Sequence, residues 1–239
     1  MRPVFLLAIL LTSGFAASAG AAADDWANPP FTVVAARVEL TVGRELSMVS
    51  IRMMLQYVER DDTRHNARVF VHCPLYVDKT VTDWHDAVSA ADIKLQVAGQ
   101  IFTPVDGGIV SADVLSDYPV PEDAAVAFLT FEIPRSAATW RFEVQVNHIQ
   151  PNFHHHGALL AAFTPWLPKV THVQKVFEFA DKDFEVVIRG LSGVTFRKYT
   201  ANDEVLADTP TELKVIPVHR KTIAVEILPA AAPPAAKQN

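Results

Sequence analysis

Only one cysteine, Cys73, stands in 239 residues, so the chain cannot close a disulfide on itself. Whatever holds it together is packing rather than cross-linking. Cys73 alternates with Val69, Val71 and Leu75, the pattern of a small buried hydrophobe on a strand. His72 points to the other face of the same strand and cannot share a ligand with it. Basic charge is also short: 21 Lys and Arg face 27 Asp and Glu, a net charge of -6. An acidic chain gains nothing from releasing phosphate counterions, which excludes nucleic acid as a partner.

The familiar catalytic and cofactor motifs are missing. There is no H-E-x-x-H and no paired-cysteine zinc pattern, and neither G-x-G-x-x-G nor a P-loop occurs, so no nucleotide cofactor is implied. Gly190-Leu191-Ser192-Gly193 comes near a nucleophile elbow, but Val194 stands where G-x-S-x-G has its second glycine.

Long apolar runs are rare too, and the informative one is at the start. Arg2 precedes an apolar stretch from Val4 to Leu11, which fades into small residues with cut sites around Ala17-Ser18-Ala19 and Ala21-Ala22-Ala23. That order predicts a cleavable signal peptide over 1–23, with the mature chain beginning between Gly20 and Asp24. An uncleaved anchor needs about 20 strongly apolar residues, more than this stretch supplies. No cysteine follows for lipid attachment. A periplasmic or secreted protein is expected, with no stable membrane span after cleavage. At the other end, the Ala- and Pro-rich 230–239 cannot bury enough surface to offset its ordering entropy and is expected to be a disordered tail.

What remains is rich in period-two alternation and poor in helical periodicity. Strands are expected at Phe31–Val42, Leu46–Val58, Ala67–Val77, Ile93–Ala98, Gly108–Val110, Ala125–Ile133, Thr139–Ile149, Val170–Phe179, Phe184–Arg189, Val194–Tyr199, Glu212–Val218 and Thr222–Leu228. The clearest is Trp140 to His148, where Trp140, Phe142, Val144 and Val146 share one face and Arg141, Glu143, Gln145 and Asn147 the other. Two short helices are expected, Asp83–Ile93 behind an Asp cap and the apolar Ala158–Phe163. Many short strands separated by turn residues predict an all-β fold, an antiparallel β-sandwich of Greek-key, Ig-like or jelly-roll type. Two prolines in Thr164-Pro165-Trp166-Leu167-Pro168 mark a junction. They divide a β-sandwich over 24–168 from 169–229, which is either a smaller β domain or a continuation of the same sandwich.

Chemistry concentrates in histidine. Five of the nine histidines fall between His148 and His172, three of them consecutive at His154-His155-His156. Imidazole suits Cu and Zn. Strand alternation puts His154 and His156 on one face, sets His148 against the core or a pocket, and leaves His172 a short way on. His148, His154, His156 and His172 are therefore the candidate metal ligands, with solvated loop histidines as the plainer reading. Asp83-Trp84-His85-Asp86 reads as a helix N-terminus whose acids complement the dipole. Asp181, Asp183 and Glu185 would supply only part of a calcium shell.

Taken together, these features describe an exported, non-enzymatic β-sandwich that binds a protein or small ligand at the cell envelope. The alternatives are a periplasmic Cu or Zn binding protein using the histidine cluster, and an extracytoplasmic hydrolase. The hydrolase would need two carboxylates in a cleft with Trp84 or Trp166.

Overall fold

The computed structural model describes residues 31–57, 69–110, 119–133, 141–164, 184–200, 204–216 and 222–229, with backbone alone at 31–33, 57, 69, 70 and 72. The expected leader, the strand Val170–Phe179, His172, the Pro165–Pro168 part of the junction and the tail lie outside these residues.

Alternating apolar residues become strands because each strand can then hide one face. The chain runs β1 (Phe31–Val42), β2 (Leu46–Tyr57), β3 (Val69–Asp78), α1 (Trp84–Ala91), β4 (Lys94–Val97), β5 (Gln100–Phe102), β6 (Pro104–Val110), β7 (Ala124–Ile133), β8 (Arg141–Pro151), β9 (Phe153–His155), β10 (Ala158–Phe163), β11 (Phe184–Gly190), β12 (Phe196–Lys198), β13 (Glu204–Thr209), β14 (Glu212–Ile216) and β15 (Ile223–Ile227). The fold is all-β, with sheets packed on one another as a sandwich plus a smaller sheet. An eight-stranded sheet is ordered β13-β14-β11-β1-β2-β8-β4-β5, a four-stranded one β12-β15-β10-β9, and a three-stranded one β3-β7-β6. No helix among the described residues is long and apolar enough to cross a membrane.

Register shows how the patterning is used. Val38 opposes Ile51 and Leu40 opposes Val49, all four buried, and β8 sends Phe142, Val144 and Val146 to the same side. Each such side chain contributes about 1.5–3 kcal/mol on burial. The core so formed joins residues of all three sheets, including Val71 and Leu129 of the three-stranded sheet and Ile223 and Val225 of the four-stranded one. It also takes in Phe184, Val186, Leu213 and Val215, from strands that follow residue 168. β11 lies beside β1 in parallel, the one departure from antiparallel pairing among the described strands.

The expected helix at Ala158–Phe163 is instead strand β10. Its last four residues are all buried, and it is paired on both sides, with β9 and β15. A strand hidden on both faces reads as an unbroken apolar run, so periodicity could not separate it from a short buried helix. The other expected helix is present as α1: Asp83 caps it, its carboxylate accepting the His85 N–H at 2.9 Å. Bonds from the His85 backbone and ring hold the Asp83 carboxyl below its usual range. Cys73 is buried and its thiol is pushed up to about 12 by burial, as expected of a core residue.

Several polar groups that enter this interior are paired in contacts that tie sheets together. The Tyr76 hydroxyl lies 2.8 Å from Thr164 Oγ1, which lies 3.0 Å from Thr222 Oγ1. Gln150 donates to the Ala162 carbonyl and accepts from the Tyr76 N–H. Ser47 donates to Asn152 at 2.6 Å, and Asn152 donates to the carbonyls of Gly43 and Arg44. Tyr76→Phe removes one link without changing the ring, so a loss of about 1 kcal/mol is expected, read as a lower urea midpoint at constant slope.

Candidate functional site

Phe153, His154 and His155 form the short strand β9, which turns back into β10 with the pairs His155 and Ala158, His154 and Leu159, Phe153 and Leu160. His156 and Gly157 are therefore a two-residue hairpin loop. Their φ values are +51° and +79°, the left-handed pair that a type I′ turn demands. Glycine adopts this without cost, and histidine tolerates it better than most residues.

The tip is pinned to the segment before β7. His154 donates its backbone N–H to Asp123 Oδ1 at 2.7 Å, and its Nδ1 stands 2.5 Å from Asp123 Oδ2. His155 Nδ1 meets the Val120 carbonyl at 3.0 Å; because a carbonyl only accepts, that nitrogen carries the hydrogen. The His156 N–H donates to Glu122 Oε1 at 2.6 Å, and the Glu122 N–H donates to the His154 carbonyl at 2.9 Å. Partial burial alone would push the Asp123 carboxyl up, but the bonds from the His154 ring and backbone outweigh it and hold Asp123 below its ordinary value.

These contacts orient the rings. In both His154 and His155 the Nδ1 side is engaged by an oxygen, which leaves Nε2 as the free acceptor. Imidazoles that ligate metals are held by the same kind of outer contact. The His155 and His156 rings lie together, centroids 4.1 Å apart and tilted by 48°, and Tyr199 meets His155 edge-on at 6.0 Å.

Alternation had paired His154 with His156, whereas the structure sets His156 beside His155. The positive φ at His156 ends the strand one residue early and swings the ring out of register. A His-Gly pair after a short apolar-led strand is the sequence signal for that turn. Asp123, Glu122 and Val120, which hold the tip, lie more than 30 positions away along the chain, so no local pattern links them to it.

His148 stands apart. It is 4% exposed, opposite Val49 across the β2–β8 ladder, and neither ring nitrogen has a hydrogen-bond partner. Burial lowers its pKa to about 4, with the Ile149 backbone opposing weakly. His172 lies outside the described residues. Among those residues, no three His, Cys, Asp or Glu side chains gather in a way that could hold a metal ion.

The remaining candidates among the described residues have structural uses, and Asp181, Asp183 and Trp166 lie outside those residues. Ser192 and Gly193, both at positive φ, form a tight turn closed by the Val194 N–H on the Leu191 carbonyl, not an elbow leading into a helix. Glu185 is paired with Lys214 at 3.1 Å. A shallow depression of about 350 Å³ on the large sheet is lined by Glu143 and Glu185 with Arg37 and Arg52. Trp84 is elsewhere, stacked on His85 and over Gly107.

No family model matches the chain, and no curated protein matches it. Among solved structures it is similar to leukotriene A4 hydrolase from Saccharomyces cerevisiae, at 12% identity and TM-score 0.40, over 82% of this chain and 29% of that one. It is also similar to an M1 zinc metallopeptidase from Deinococcus radiodurans, at 11% identity and TM-score 0.37, over 83% of this chain and 43% of that one. The chain thus spans less than half the length of either protein, and a likeness this distant says nothing of activity.

Proposed function

We propose that this chain is an exported, non-catalytic β-sandwich protein of the cell envelope, and that the tip of the β9–β10 hairpin binds a copper or zinc ion. The observation that carries the reading is the pair of imidazoles at the tip, His155 and His156, whose ring centroids lie 4.1 Å apart, with the His155 Nδ1 engaged by the Val120 carbonyl so that its Nε2 is left to accept. Borderline divalent metals favour imidazole nitrogen over the oxygen shell that calcium requires. Export rests on the leader sequence, and the absence of a basic excess fits a ligand other than nucleic acid.

Elemental analysis of the purified mature protein tests this directly. Wild type is expected to retain Cu or Zn after desalting, and His155→Ala with His156→Ala to retain almost none while remaining folded, with a loss of about 1–2 kcal/mol from the Val120 hydrogen bond and the positive φ at 156. Metal content near zero in wild type overturns the binding half. A cell-envelope fraction lacking the protein, with the first 23 residues still attached to a cytoplasmic product, overturns the export half.

A further inference from the structure

We propose that the metal at the hairpin tip is shared between two copies of this chain, each supplying His155 and His156; the inference rests on the metal reading above. One copy brings two neighbouring rings, 4.1 Å apart by their centroids, and His154 does not join them. It lies on the opposite side of β9 from His155, with its ring fixed on Asp123. No third His, Cys, Asp or Glu among the described residues completes a set. Zinc in a protein takes four ligands in a tetrahedron, so one tip is half a site and two tips related by a two-fold axis make a whole one.

The surroundings favour that arrangement over direct contact. The backbone edge of β9 is occupied, since the Glu122 N–H bonds the His154 carbonyl and the His154 and His156 N–H groups bond Asp123 and Glu122. Edge-to-edge strand pairing between copies is therefore closed off at the tip. The tip itself is open: His156 is exposed, and a side chain built on Gly157 would meet nothing within 4 Å. Two chains of net charge -6 repel, and each brings Glu122 and Asp123 close to the meeting point. A dication there offsets that repulsion, so association should require the metal.

Zinc titration of the metal-free mature protein, followed by light scattering and elemental analysis, tests this. The mass is expected to double at about half an equivalent of zinc per chain and to return to monomer on adding EDTA. His155→Ala and His156→Ala should each stay monomeric at the same zinc level, while His154→Ala should still double. A monomer that takes up a full equivalent overturns the shared site and leaves the metal reading standing. No uptake at all overturns both. Doubling that persists in the His155→Ala, His156→Ala double variant overturns the assignment of these rings to the contact.

Discussion

Replacing His148 with leucine is expected to make the protein more stable at neutral pH and to remove much of its acid sensitivity. Two buried ring nitrogens without partners cost on the order of 1–3 kcal/mol, a penalty that an apolar side chain of similar size does not carry. The pH effect follows from the same burial. In the folded protein the ring titrates at about 4, against an ordinary value of 6.5, so between these two pH values the unfolded chain binds more protons than the folded one. Stability is full above about pH 6.5, falls as the pH drops toward 4, and falls no further from this source below that. The whole loss is about 3 kcal/mol, of which about 2 is gone by pH 5. Denaturant unfolding at pH 7, 5 and 4 measures it. The slope of stability against pH should flatten in His148→Leu, and an unchanged slope would mean that the imidazole is not buried as described.

Phe153→Ala is expected to cost about 3–5 kcal/mol. The ring is fully buried in a satellite cluster with Tyr76, Val126, Leu160, Ala162 and Ala224, and lies 4.5 Å from the Tyr76 ring between centroids. Losing it opens a cavity and ends an aromatic contact worth about 0.5–1.5 kcal/mol. For a chain of this size the melting temperature should fall by roughly 6–20 °C. Because the next residues are the tip histidines, the contrast with His155→Ala is informative: one substitution should lower Tm strongly and the other chiefly metal content, with a small stability loss from the Val120 hydrogen bond. A calorimetric shift under 2 °C in Phe153→Ala would show that β9 is not packed onto this cluster.

The strands were legible because alternation is a local consequence of having one wet and one dry face. β1 matches its expected range to the last residue, and β2 and β8 match to within two residues at each end, since each has one face on the core and the other in water; β7 matches as closely although it is covered on both faces, its β-branched and aromatic residues being bounded by turn residues. β10 differs from its expected helix because its last four residues are all buried, and β5 and β13 carry no apolar alternation to find because they are mostly exposed, while β9 has a single apolar residue before its histidines. The histidine cluster was visible as composition alone. Which rings meet was not, because a single positive φ at His156 overrides the alternation from which faces are inferred.

Residue order by itself determined the all-β character, the absence of disulfides, the capped helix at Asp83 and the burial of Cys73 and His148, because each depends on neighbours within a few positions. Only the tertiary structure decided that β11 runs parallel beside β1, that Asp123 and Val120 orient His154 and His155, and that His156 turns to His155. These rest on groups brought together from distant parts of the chain, and no local pattern encodes which distant partner a strand edge or an imidazole will find.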